Sequence, residues 1–410
     1  MRGTGHLLAA GGLASLGAGR LGNAAEKPIK KVAAINTSYR MRSHAYHIAG
    51  RFLVGYDVNG FHHQPPFQLA SMYNDQYPAG DLSRGLAAKH EFKIAETVAD
   101  ALGGPGKVDV DAVLLIAEHG DYPLNELGQK LYPRLRLFRE IVKAFRAAGR
   151  SVPVFNDKHL SYDYRHAAEM VGVAREMGFG LMAGSSLPVT WRQPVLEPPL
   201  ETPLTEALVC HAGGTEIYGF HALETLQCML ERRRGGETGV QRVTCLQGPA
   251  VWKAGNDGLW SRDLLRAALS RSPSSNYGDP RDNVDNPIAI LVEYADGTRG
   301  TCLNLREHVS DFTFAAQVKG REEPISTCFY LPSPPGAKYF DALTFNIEKF
   351  FASGAPPYPV ERTQLTTTVL DFAMRSLHEN SKPIAHPAMK IAYQAPKDSG
   401  FFRGRITQAD

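Results

Sequence analysis

The sequence predicts an α/β protein, with an amino-terminal Rossmann-type doubly wound parallel sheet and a carboxy-terminal α+β domain whose sheet is open and mostly antiparallel. Three observations predict it. Short apolar runs alternate with amphipathic stretches between residues 31 and 187, and strands separated by helices of that length imply right-handed crossovers and parallel pairing. Pro188, Pro194, Pro198, Pro199 and Pro203 then mark a linker. Beyond it, strand-like segments follow one another, with the turn signal Asp296-Gly297 between two of them. The chain of 410 residues divides accordingly: 1–25 as an export signal, 31–187 as the Rossmann-like domain, 188–393 as the second domain and 394–410 as a tail.

The elements follow from local pattern. Residues 31–35 (Lys-Val-Ala-Ala-Ile) are a short apolar run and read as a buried parallel strand. Residues 43–54 have helical spacing. A loop with Asn59-Gly60 and Pro65-Pro66 leads to a strand over 68–73. Helices follow over 81–90 and 97–102, the second stopped by Gly103-Gly104-Pro105-Gly106. Residues 111–117 (Asp-Ala-Val-Leu-Leu-Ile-Ala) are the strongest strand signal in the chain. Residues 135–148 form an amphipathic helix stopped by Gly149. A strand over 152–155, a helix over 166–177 and a strand over 180–183 complete the first half. In the second half, helices are expected over 223–232, 340–351 and 364–377. Strands are expected over 240–246, 288–294, 301–305 and 312–318.

Composition excludes several classes. Hydrophobic residues make up 43% and charged residues 21%, which gives a full core and rules out a disordered chain. The balance of 45 Lys+Arg against 42 Asp+Glu, with no basic cluster, gives nucleic acid no footprint. No apolar run is long enough for a membrane span. Five cysteines without a CxxC argue against thiolate zinc and a disulfide framework. Residues 1–25 hold no acid and only Arg2 and Arg20 as strong bases, around an Ala- and Gly-rich apolar stretch. They read as an export signal, which places the mature chain in the periplasm or outside the cell; a cytoplasmic extension is the alternative.

Candidate chemistry gathers at the carboxyl ends of the expected strands, where open α/β sheets bind ligands. The first strand turns through Asn36-Thr37-Ser38-Tyr39-Arg40-Met41-Arg42-Ser43-His44. Dinucleotide folds place glycines here so that backbone amides approach a diphosphate. None is present, but Asn36 and Ser38 are small or conformationally tolerant, and Arg40 and Arg42 carry charge suited to phosphates. Asp75, after the second strand, is placed to hold ribose hydroxyls and to favour NAD over NADP. Glu118, His119 and Asp121 share the next loop and suit a sugar or a metal. Asp157, Lys158 and His159 follow; a Lys beside an Asp suits general acid/base work, and Asp157 and His159 also suit a metal. Glu216, Tyr218, His221 and Glu224 lie on one segment, with His221 and Glu224 a helical turn apart.

Taken in order, these motifs resemble the Gfo/Idh/MocA oxidoreductases, the glucose–fructose oxidoreductase and inositol dehydrogenase family. The match runs from about residue 31 to 377. It rests on Arg40-x-x-x-His44, Asp75-x-x-Pro78, Asp157-Lys158-His159 in place of Glu-Lys-Pro, the run 181–184 and Gly219-x-His221-x-x-Glu224. The resemblance implies NAD at the first turn and a sugar or polyol in the interdomain cleft. It also implies an open second-domain sheet that pairs subunits into a homo-oligomer. It assigns catalysis to Lys158, His221 and Asp157, with coenzyme contacts from Asn36, Ser38, Arg40, Arg42, Asp75, Glu118 and His119. Asp121, His159, Glu216, Tyr218, Glu224 and Arg192 become the substrate contacts. The departures are Asn36, Ser38 and Met41 at the three glycine positions and His159 at the proline. Two function classes follow: an NAD-dependent oxidoreductase on a sugar, polyol or glycoside hydroxyl, or a non-redox, metal-dependent lyase, isomerase or hydrolase. In the second, Glu118, His119, Asp157 and His159 hold a divalent metal and NAD binding is lost.

Overall fold

A computed structural model describes residues 29–332 and 336–405. The export-signal segment lies outside the described residues. The first half runs β1 (Lys30–Asn36), α1 (His44–Val54), the hairpin β2 (Tyr56–Val58) and β3 (Phe61–His63), β4 (Phe67–Asn74), α2 (Ser83–His90), β5 (Lys93–Ala95), α3 (Val98–Leu102), β6 (Ala112–Ile116), α4 (Arg134–Ala148), β7 (Val154–Asp157), α5 (Tyr164–Met177) and β8 (Leu181–Gly184). The second half holds β9 (Trp191–Gln193), β10 (Leu204–His211), α6 (Thr215–Leu230), β11 (Val240–Gln247), α7 (Pro249–Asn256), α8 (Arg262–Leu269), α9 (Pro280–Asn283), β12 (Ile288–Tyr294), β13 (Arg299–Asn304), β14 (Phe312–Val318), β15 (Ile325–Tyr330), α10 (Tyr339–Ser353) and α11 (Val360–His378).

Six parallel strands form the first sheet in the order β5-β4-β1-β6-β7-β8. The order reverses between β1 and β6, which makes that junction the switch point where such sheets bind ligands. All five residues of β6 are buried, as expected for a central strand covered on both faces. The helix ends have local causes: Thr97 caps α3 through its hydroxyl, and Gly149 and Gly178 end α4 and α5 in the left-handed conformation. One face of the sheet packs under α3, α4 and α5. The other packs under α1 and, from the far end of the chain, α10 through Phe340, Leu343, Ile347 and Phe350. Phe402 joins this second core, and Trp191 Nε1 donates to Gly404 O at 2.8 Å. The expected tail is therefore tied down as far as it is described, and the 187/188 boundary is crossed by α10.

The second sheet has the order β11-β12-β13-β10-β14-β15-β9 and is antiparallel except for the β10–β13 pair. Asp296-Gly297 forms the expected hairpin, with Tyr294 N donating to Thr298 O at 2.9 Å. Its inner face packs on α6 and α11. The other face of the sheet, which the resemblance leaves open for subunit pairing, lies in part under the chain's own α7, α8 and the link between them: Val251, Trp260, Leu264 and Leu265 pack on Leu208, Cys210, Leu303 and Ala315.

Candidate active site

The strand ends of β6 and β7 and the start of α6 bring the sequence-predicted groups together. Lys158 follows β7 in the left-handed region (φ +62), and its N–H donates to Gly184 O at 3.0 Å. His119 (φ +72) and Arg42 (φ +62) are likewise left-handed. Such backbone costs a non-glycine residue of order 1 kcal/mol, and its clustering is a mark of function. Lys158 Nζ donates to Glu118 Oε1 at 2.9 Å, and Arg134 Nη2 donates to Glu118 Oε2 at 2.5 Å. All three side chains are at most 4% exposed. Burial pushes the Glu118 carboxyl up, but Lys158 and Arg134 outweigh it and hold the group well below its ordinary value.

Histidines surround this triad. His44 Nδ1 lies 2.7 Å from Asp157 Oδ2, and the His44 and His119 rings meet at 5.3 Å. Burial, then His44, lowers the proton affinity of His119 to about 4. His159 Nε2 lies 3.3 Å from both Arg134 Nη1 and Glu216 Oε1, and burial followed by Arg134 lowers its proton affinity. His221 is buried, and among the described residues its Nδ1 has no hydrogen-bond partner. Burial, then Lys158 and His44, hold it well below 6.5, so it is neutral at pH 7. Tyr218 is half exposed with its ring 6.0 Å from that of His221. An open groove of about 670 Å³ begins beside it, lined by Gly213, Asn276, Arg306 and His308.

Several expected site residues are placed elsewhere. Glu224 is fully buried on another side of α6, where it accepts from Ser185 N at 3.3 Å and Thr366 Oγ1 at 2.8 Å and so holds the two halves together. Arg192 is buried between the Phe329 and Phe401 rings and donates to Leu196 O and Pro188 O, a structural role. The Asp121 side chain is exposed, while its backbone pairs with Gln76. Asp75 is tied by Tyr73, Tyr122 and Arg136 at 3.0, 2.6 and 2.5 Å, which occupies the carboxylate meant for ribose. The metal set also disperses. Glu118 faces two cations, Asp157 faces His44 and His159 faces Arg134, and among the described residues no group of three His, Cys, Asp or Glu is arranged to hold a metal. Arg134 was missed, because at a helix start it reads as an ordinary first-turn residue.

The first turn decides whether a dinucleotide fits. Thr37 Oγ1 donates to Glu118 O at 2.8 Å, Gln76 N donates to Thr37 O at 2.8 Å and Leu82 N donates to Tyr39 O at 3.0 Å. Arg40 forms a β-bridge with Asp81; both Arg40 and Arg42 are exposed. Asn36 and Ser38 are fully buried, and Asn36 Nδ2 donates to Asn74 Oδ1 at 3.1 Å. At the start of α1, Tyr46 N donates to the Ser43 hydroxyl at 3.1 Å and His44 N donates to His119 Nδ1 at 3.4 Å. The amides of Arg40, His44 and Tyr46 are thus already capped by side chains, and the carbonyls of Thr37 and Tyr39 are tied to the β4 side, so the turn as folded is a poor fit to a diphosphate.

No family model matches the chain, and no curated protein is similar to it in sequence. Solved structures are similar in fold. The myo-inositol dehydrogenase of Lactobacillus casei, in complex with NAD(H) and myo-inositol, superposes with a TM-score of 0.53 at 11% identity, over 87% of this chain and 97% of that one. The Corynebacterium glutamicum myo-inositol dehydrogenase gives 0.51 at 10%, over 87% and 98%. GenD2 from gentamicin A biosynthesis, in complex with NAD, gives 0.51 at 13%, over 87% and 96%. The chain therefore has the two-sheet fold seen in these dehydrogenases.

Proposed function

We propose that the chain is an enzyme acting on a hydroxyl-bearing carbon of a sugar or polyol, with Lys158 and His221 as its proton-transfer groups. The observation that carries this reading is the strained, buried Lys158, held against Glu118 beside the neutral His221. A buried ammonium next to a carboxylate is a directed donor to a substrate oxygen, and a neutral imidazole with a free ring nitrogen is a base. Glu118 and Arg134 position the lysine, and the His44–Asp157 pair sits beside it. The substrate class is supported by the likeness to inositol dehydrogenases and by the polar groove that opens at Tyr218. The same likeness favours an oxidoreductase, in which this proton transfer accompanies loss of a hydride; the closed first turn favours proton transfer alone.

The test is turnover of myo-inositol and common pyranoses by the purified chain, followed by proton NMR with and without NAD, for wild type and Lys158→Met. Lys158→Met is expected to lower turnover by a factor on the order of 10² to 10⁴. Circular dichroism should remain native, since Glu118 keeps Arg134 as its partner. Equal turnover in the variant removes Lys158 from the mechanism, and no turnover of any sugar or polyol refutes the substrate class.

A further inference from the structure

The switch-point crevice between β1 and β6 is where this architecture holds a dinucleotide. Its usual construction runs the strand straight into a helix whose first amides face the diphosphate. In this chain β1 ends at Asn36 and α1 begins only at His44, so seven residues, 37–43, intervene. They do not lie open. Thr37 bonds across to Glu118 on the β6 side, and the carbonyls of Thr37 and Tyr39 bond to Gln76 and Leu82 on the β4 side. Both flanks of the crevice are therefore stitched to the turn that should form its floor.

Two donors at the start of α1 are also taken. The imidazole of His119 takes the amide of His44, and the Ser43 hydroxyl takes that of Tyr46. His119 is held there by a left-handed backbone and, at neutral pH, carries no charge. Asp75, at the ribose position, is spent on Tyr73, Tyr122 and Arg136.

We infer that the dinucleotide crevice has become an intramolecular joint and that the site beside it works without a nicotinamide, by redox-neutral proton transfer. This rests on the reading of Lys158 and His221 given above. The fitting substrate is an α-hydroxy carbonyl sugar. The base removes the proton from the hydroxyl-bearing carbon, and the C–H pair becomes the C=C bond of an enediolate. The former carbonyl oxygen takes the negative charge beside the Lys158 ammonium. Return of the proton to the opposite face of the same carbon re-forms the original carbonyl and completes an epimerisation. For an isomerisation the Lys158 ammonium gives a proton to the enediolate oxygen, the neighbouring hydroxyl gives its proton back to the lysine and becomes the new carbonyl, and the base returns its proton to the former carbonyl carbon, all with no oxidant.

The experiment is a titration of the full-length chain with NADH and NADPH, followed by nucleotide fluorescence, together with chromatography of nucleotides released on acid denaturation. No released nucleotide and no saturable binding with Kd below about 1 mM are expected. A stoichiometric nucleotide, or saturable binding in that range, overturns the inference. Such binding leaves Lys158 and His221 standing as proton-transfer groups, because their test is the turnover of Lys158→Met. In D2O without added coenzyme, glucose, fructose, mannose and their uronic acids are the probes. Deuterium entering a carbon next to the carbonyl supports the inference, and incorporation that appears only with added NAD overturns it.

Discussion

Replacing Glu118 by Gln keeps the shape of the centre and removes the negative charge that Lys158 and Arg134 share. The two contacts are 2.9 and 2.5 Å long, and all three side chains are at most 4% exposed. Removing one partner from a buried ion cluster costs roughly 3–5 kcal/mol, because the cations left behind have lost their water and their counter-charge. The amide oxygen of Gln still accepts one hydrogen bond, so a loss near the lower end, about 3 kcal/mol, is expected at pH 7. Urea unfolding followed by circular dichroism measures it as a fall in midpoint at constant slope. The pH dependence follows from the depressed proton affinity of Glu118. A carboxylate depressed in the folded state contributes stability that is fully present above its ordinary value of 4.5 and is lost as the pH falls below it. The gap between wild type and variant should therefore be full at pH 7 and shrink below pH 4.5. A gap under about 0.5 kcal/mol at pH 7 refutes the ion cluster, as does a gap that widens on acidification.

Gly184 and Glu224 give two further tests. Gly184 has φ +130, and a Cβ there would stand 2.6 Å from Glu224 Oε2 and 3.1 Å from Thr363 Oγ1. Gly184→Ala should cost about 3 kcal/mol from backbone strain and overpacking, read as a lowered melting midpoint, and an unchanged midpoint refutes it. Burial raises Glu224 from 4.5 to about 7, against the pull of Arg362. An acid raised in the folded state adds stability that is full below 4.5 and is lost as the pH rises towards 7. Glu224→Gln should therefore gain on wild type between pH 4.5 and 7, by about 3 kcal/mol in all. Denaturation midpoints across that range check it, and a constant difference between the two proteins contradicts the assignment.

Much of the first sheet was legible because its strands are apolar on both faces and its helices end at named signals. Residues 111–117 and the Gly149 stop gave β6 and the end of α4 to within a residue or two. The second sheet was harder. β10 is its central strand, yet it follows a proline-rich stretch and ends at Gly213-Gly214, which mask an otherwise strand-like run. The hairpin β2–β3 has three-residue strands, too short to show a period. α6 starts eight residues before the expected position, because its first turn opens on Gly214-Thr215-Glu216 and the helix is buried nearly all round, so it shows no amphipathic stripe. The packing of α10 on the first sheet is a long-range contact that no local pattern encodes.

The site was legible where position alone decides the role and illegible where partners do. Glu118 and Lys158 stand at the carboxyl ends of β6 and β7, and topology brings such ends together whatever the side chains are. Glu224 shows the converse. Its three-residue spacing from His221 allows a shared face, yet Glu224 turns to Thr363 and Thr366 while His221 turns to the lysine side. The first turn is the most instructive case. From sequence, the loss of three glycines predicts only a weaker approach of backbone to phosphate. In the structure the same loss accompanies a helix that begins late, and the chain released from the helix hydrogen-bonds to both neighbouring loops. A cradle that merely lacked glycine would keep its amides free and bind poorly. This one has tied the Thr37 hydroxyl, the Thr37 and Tyr39 carbonyls and the His44 and Tyr46 amides to other partners, so putting glycine back at 36, 38 and 41 would not by itself reopen the crevice. His119, Ser43 and the Thr37 bond to Glu118 would also have to let go.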